Sequence, residues 1–310
     1  MEKGKGKETH YNESIGTKEV TGVWEEVLTA NSYYDFDYTL QRWSYDPLTK
    51  LDREERWVDV PVKLKNGSHV VRVQAHGTTA RPSFSISSED EDAKEALIQH
   101  VRDLFQWDRN LEKVQNHFHN TNLKDLFSAY PGTPIVKDFH LYDCLVKVII
   151  HQQLNMKFAH TLSTRFVERL GYQKDGIWFY PEPETVADVP YEELRKLQFS
   201  QRKAEYVIDV SRKIVEGKLD LEWLARQSDE DVMKHLVKIR GVGPWTAENW
   251  LMFGVGRENL LPKADIGIQN ALKSYFKLED KPSKEQMESF SESWPPYQSY
   301  ASLALWRSIE

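Results

Sequence analysis

Two glycines separated by one residue and closed by a proline constrain this chain more than any other feature. They lie in Leu236-Val237-Lys238-Ile239-Arg240-Gly241-Val242-Gly243-Pro244-Trp245-Thr246-Ala247. Gly241 and Gly243 can take backbone angles that other residues avoid. Pro244 suits the first position of a new helix, where its missing N–H costs nothing. Upstream, Ser228 followed by Asp231 is a helix-start signal. The pattern predicts a helix to about Lys238, a tight hairpin, and a second helix. Backbone N–H groups at such a turn sit beside a positive helix end and favour an anion. Lys238 and Arg240 flank it. A clamp of this kind holds a nucleic-acid backbone and reads no sequence. A bare Gly-x-Gly is more often an ordinary helix connection.

The chain has 310 residues, enough for two or three compact units. Its single cysteine, Cys144, excludes an internal disulfide and a four-cysteine metal or iron–sulfur site. His117 and His119 have no cysteine or acidic partner at ligand spacing, so no metal constellation is expected. No apolar run is long enough to span a bilayer, and Met1–Lys7 lacks the apolar stretch of a secretory signal. These features predict a cytoplasmic protein with no membrane association. The net charge of -7 argues against a nucleic-acid partner when taken alone. A clamp of backbone amides does not depend on that total.

Residues 1–20 are polar and aperiodic and predict a disordered tail. From 21 to 108 the alternating segments Arg56–Val62, His69–Gln74 and Ser83–Ser87, with a turn signal at Asn66-Gly67, predict an antiparallel sheet. Helices are expected at Tyr34–Trp43 and Asp90–Phe105. Beyond 108 no convincing strand is found, and helical patterns succeed one another through 109–310. The predicted fold class is α+β: a small antiparallel-sheet domain followed by an all-helical one.

Ile239–Ala247 closely resembles the helix-hairpin-helix of the DNA glycosylase superfamily. Leu260-Leu261-Pro262-Lys263-Ala264-Asp265-Ile266-Gly267-Ile268 resembles the loop and terminal aspartate that follow it there. Together they match the HhH-GPD signature, with a hairpin over 228–253 and a catalytic loop over 254–268. Within the superfamily the resemblance is to the bacterial DNA-3-methyladenine glycosylase II branch, and it covers about 135–307. Ile149–Leu154, Phe199–Tyr206 and Trp294–Ala301 carry the rest of it. The N-terminal sheet matches by pattern only. The resemblance implies a cleft between the two domains, duplex DNA with damaged bases as partner, no cofactor, a monomer, and a place at the bacterial nucleoid.

Cleaving an N-glycosidic bond builds positive charge on the sugar, which a fixed carboxylate stabilises. The resemblance assigns this role to Asp265; the plain alternative is an N-cap aspartate. It assigns phosphate contacts to Lys238, Gly241, Val242, Gly243 and Thr246. A base pocket is implied at Trp245, Asn249 and Trp294, since indole faces attract positively charged alkylpurines. The branch carries a tyrosine where Asn249 stands, and an amide there suits hydrogen bonding to a base edge. Gln153 or Leu154 is expected to fill the gap left by the flipped base. A monovalent cation held by carbonyls near Ile239 and Val242 is implied in the same way. Members that also cut the strand carry a lysine where this chain has Trp245, so a monofunctional enzyme that leaves an abasic site is expected. Two other readings stay open: a glycosylase for deaminated or oxidised bases, and a non-catalytic DNA-binding module.

Overall fold

The computed structural model describes residues 23–310. The tail expected over 1–20 lies outside the described residues. The chain opens with β1 (Trp24–Thr29), helix α1 (Phe36–Trp43), the short β2 (Leu51–Asp52), β3 (Trp57–Leu64), β4 (Gly67–Ala75) and β5 (Ser83–Ser88). The strands form one antiparallel sheet in the order β1-β5-β4-β3-β2. Alternation buries Val58, Val60 and Val62 of β3 beside Val71 and Val73 of β4. Pro61 is tolerated within β3 because β2 pairs only with Trp57 and Val58, leaving the strand an open edge at the proline. Asp35 caps α1 through the Tyr38 N–H.

Helices α2 (Lys94–Phe105), α3 (Leu111–Phe118), α4 (Lys124–Ala129), α5 (Leu141–His151) and α6 (Met156–Leu170) follow. Next comes a departure from expectation, a hairpin of β6 (Tyr172–Lys174) and β7 (Ile177–Phe179). Its turn residues Asp175 and Gly176 both have positive φ, at 53° and 74°. That geometry matches the strand twist, and Asp-Gly is its usual sequence. Strands of three residues are too short to show a period, so the turn was their only signal. The chain continues through α7 (Pro183–Ala187), α8 (Tyr191–Lys196), α9 (Gln201–Val215), α10 (Leu221–Leu224), α11 (Asp229–Leu236) and α12 (Pro244–Asn249). α12 runs on as a π-helical turn, Trp250–Val255, before α13 (Ile266–Tyr275), α14 (Lys284–Phe290) and α15 (Gln298–Arg307).

Burial divides into two cores. The first joins Val60, Val73 and Phe84 of the sheet with Leu97 of α2, Leu272 of α13, Leu303 of α15, and Trp294 from the segment before α15. The second joins Ile149, Phe166, Val207, Leu236 and Trp250. The change in secondary structure near 108 is therefore not a break in the core, because the last three helices pack with the sheet. Phe253 packs against both cores and lies at their seam. No helix among the described residues is long and apolar enough to cross a membrane.

Candidate active site

A cleft of about 2230 Å³ is lined from both cores. Arg42 and Trp43 of α1 line it, as does the 238–246 hairpin. Asp265 stands in it at the N-cap of α13, where its Oδ1 accepts the Ile268 N–H at 2.9 Å. Capping satisfies one of the helix's free N–H groups. Two indoles complete the carboxylate's shell. Trp245 Nε1 donates to Oδ2 at 2.8 Å, and Trp306 Nε1 donates to Oδ1 at 3.0 Å. Donors on both oxygens suit an acceptor-only carboxylate and fix its rotamer. The structure thus gives Asp265 a capping bond and a cleft position at once.

Trp245 and Asn249 line the same cleft, one helical turn apart. Trp294 does not. It is fully buried, and its Nε1 donates to Asn122 Oδ1 at 2.7 Å within the first core. The expectation that it joins the base pocket is corrected by that packing: no part of the indole reaches the cleft. Phe253 and Trp306 are among the aromatic side chains that do line it. Arg42 lies over the Phe253 ring at 5.0 Å, which ties α1 to this wall. Gly267 makes room for Trp306. A Cβ there would sit 2.9 Å from both Asp265 Oδ1 and Trp306 Nε1.

The hairpin glycines serve different purposes. Gly241 has φ +89°, and a Cβ on it would lie 2.1 Å from the Tyr206 ring, so glycine is required twice over. Gly243 has extended backbone, φ -97° and ψ 177°, and a Cβ there would meet nothing within 4 Å. Among the described residues the amides of Gly243, Trp245 and Thr246 have no backbone acceptor. Lys238 is exposed beside them. Arg240 is not free, because it pairs with Glu205.

Two of the expected phosphate-contact residues turn their side chains inward. Thr246 is 1% exposed, and its Oγ1 accepts from Gln152 Nε2 at 2.7 Å, while its amide stays open. The Val242 amide donates to Ile239 O at 3.0 Å and closes the turn, and its side chain is buried. Val242 is thereby corrected from a ligand contact to a support of the hairpin. The carbonyl of Val242 accepts nothing among the described residues, and that of Ile239 keeps a lone pair. This pair fits a monovalent cation, which would bridge hairpin and phosphate.

Gln153 and Leu154 lie between α5 and α6. Gln153 is exposed with φ 55°, at the tip of the turn. Leu154 is half-buried against the second core. Lys203, which sequence patterns did not single out, holds this tip. Its Nζ donates to the carbonyls of Ile149, Ile150 and Gln152 at 3.0, 2.7 and 2.9 Å. A cation at a helix C-terminus satisfies free carbonyls and complements the dipole. Gln152 then links the tip to the hairpin, since Nε2 also donates to Gly241 O at 2.8 Å. His151 faces Ser163 Oγ at 3.0 Å, and burial depresses its basicity, consistent with a packing role. On α12, burial, opposed by Lys263 and reinforced by Asp265, pushes the Glu248 carboxyl up to about 7.

Comparison with known proteins places this geometry in context. Residues 146–296 match the model of the HhH-GPD superfamily base excision DNA repair proteins. The chain is 51% identical over 289 residues, 93% of its own length and 100% of the relative's, to a putative DNA-3-methyladenine glycosylase, YfjP, of Bacillus subtilis. It is 29% identical over 221 residues, 70% of this chain and 73% of the relative, to the DNA-3-methyladenine glycosylase of the same organism. The 3-methyladenine DNA glycosylase of Archaeoglobus fulgidus superposes with TM-score 0.79 at 18% identity, covering 91% of this chain and 97% of that one, a likeness of fold. The Schizosaccharomyces pombe enzyme Mag1, in complex with abasic DNA, superposes with TM-score 0.54 at 26% identity, covering 63% of this chain and 96% of that one.

Proposed function

Because the chain belongs to the HhH-GPD superfamily of base excision DNA repair proteins, we propose that it is a DNA glycosylase that removes alkylated purines of the 3-methyladenine and 7-methylguanine type. It binds duplex DNA, flips the damaged nucleotide into the cleft and hydrolyses its N-glycosidic bond. The single observation that carries this reading is Asp265, held in the cleft by two indole donors and a helix N–H.

The Asp265 carboxylate faces the sugar and stabilises the positive charge that grows as the base departs. It also orients the attacking water. Trp245 presents an indole face to a cationic base, an interaction of about 0.5–2 kcal/mol. Gly243, the open amides beside it and Lys238 hold the phosphate backbone. The carbonyls of Ile239 and Val242 would hold a monovalent cation, which would supply positive charge beside that phosphate. Gln153 is the wedge that fills the emptied stack, a reading supported by its exposed position at the turn tip. Trp245 occupies the position of the strand-cutting lysine, so water is the nucleophile and an abasic site is the product. The enzyme acts as a monomer, without a cofactor, on DNA of the cytoplasmic nucleoid.

The test is base release from methylated duplex DNA by wild type beside Asp265→Asn. Methylpurines released by wild type only, with strand breaks appearing only after alkali, are expected. Breaks without alkali, or a borohydride-trapped adduct, would overturn the monofunctional assignment. Equal release by Asp265→Asn would remove the carboxylate from the mechanism.

A further inference from the structure

Asn249 closes α12 at the wall of the cleft, beside Trp245 and one turn before Phe253. It is 7% exposed. Its Nδ2 donates to Trp245 O at 2.8 Å. A carbonyl can only accept, so this bond settles which end of the amide points where. The oxygen is left over. Among the described residues Oδ1 has no hydrogen-bond partner, yet it is not one of the sealed polar atoms of the interior. Its remaining opening is toward the cleft that Asn249 lines.

The neighbouring polar atoms are already committed. Both indole N–H groups, of Trp245 and Trp306, are spent on Asp265. Phe253 contributes only a ring. Asn249, Asp265, Trp245, Phe253 and Trp306 therefore offer a lone amide oxygen beside a carboxylate and no free side-chain N–H, while Arg42 lies over the Phe253 ring at 5.0 Å. A base that turns a carbonyl toward Asn249 would set acceptor against acceptor. A base that turns an N–H toward it gains a bond, stronger when the ring is cationic and its amine protons are more acidic.

We propose that Asn249 is the specificity-determining residue of this cleft, a fixed acceptor for the 2-amino group of a methylated guanine. The inference rests on the glycosylase reading above and narrows its preferred 7-methylpurine to the one that carries that amine.

Two duplexes that differ by one amine test it. One carries 7-methylguanine and the other 7-methylhypoxanthine, which keeps the ring and methyl group and lacks the amine. Release rates are corrected for uncatalysed depurination. Wild type is expected to favour 7-methylguanine in kcat/KM by about 10- to 100-fold, the span of a buried hydrogen bond left unmade. Asn249→Leu should bring the two substrates within about 2-fold of each other, with loss confined to the amine-bearing one. Equal release of both bases by wild type, which needs no variant to fold, would overturn the proposal and leave the glycosylase reading standing. So would a preference that survives Asn249→Leu. Release of neither base, nor of 3-methyladenine, by wild type would remove the glycosylase reading, and the inference with it.

Discussion

The indole nitrogen of Trp245 lies 2.8 Å from Oδ2 of Asp265, so the ring that walls the cleft and the carboxylate at its centre are one hydrogen-bonded unit. Neither can turn without the other. The face of the indole and the direction of the carboxylate are set together, before any ligand arrives, which is the preorganisation that transition-state stabilisation needs.

Trp306 is the other half of that unit. Replacing it by phenylalanine keeps an aromatic ring against Phe253 and removes only the N–H that reaches Asp265 Oδ1. A bond to a charged group contributes about 1.5–3 kcal/mol, so single-turnover excision should fall by roughly 10- to 100-fold while DNA affinity holds. Unchanged excision would show that Trp245 and the Ile268 amide suffice.

Gly267→Ala should slow excision without deleting a polar atom. The added Cβ would press on Asp265 Oδ1 and Trp306 Nε1, both 2.9 Å away. Single-turnover kinetics should show a fall of about 10-fold or more, since a displacement of a few tenths of an ångström at a reacting centre is costly. A variant with wild-type rates would mean that α13 yields without moving the carboxylate.

The two hairpin glycines should separate stability from binding. Gly241→Ala forces a Cβ against the Tyr206 ring in a left-handed backbone, so the thermal midpoint should drop by several degrees. The Cβ of Gly243→Leu meets no protein atom within 4 Å, so the midpoint should fall less than for Gly241→Ala. It should weaken binding to every DNA sequence alike, because phosphate contacts carry no sequence information. Equal DNA affinity for Gly243→Leu would count against the clamp.

Glu248 gives a pH signature. Its carboxyl titrates near 7 in the folded protein, against an ordinary value of 4.5. The folded state then holds the proton more tightly than the unfolded one. Its contribution to stability is full below about pH 4.5 and is lost as pH rises through about 7. Denaturant unfolding at pH 5 and pH 8 should show wild type losing more stability across that interval than Glu248→Gln. Parallel losses would show that the group is better hydrated than its burial suggests.

The hairpin, the caps and the position of Asp265 were legible in the sequence because each depends on residues within a turn or two of one another. Ser228 accepts the Asp231 N–H as its spacing predicts. What depends on partners far along the chain was not legible. Trp294 and Trp306 are both tryptophans near the C-terminus, and only packing sends one into the core and the other to Asp265. Thr246 reads as a surface hydroxyl at a helix start until Gln152, just past the end of α5, covers it. Lys203 reads as one more lysine on α9, and its importance lies in three carbonyls on α5. The β6–β7 hairpin offered only Asp175-Gly176, a turn signal without a period beside it.

The first core sets an order on synthesis. Its sheet is made early, and the helices that complete its burial, α13 and α15, are made last. Until residue 305 has left the ribosome, part of the apolar surface of that core has nothing to rest on, while the second core, built from residues in between, can already close. The cleft that both cores line is therefore complete only once α15 has been made. A chain cut between α13 and α15 carries the hairpin and Asp265 without the Trp306 that holds the carboxylate, so it owns its clamp and lacks part of its carboxylate shell.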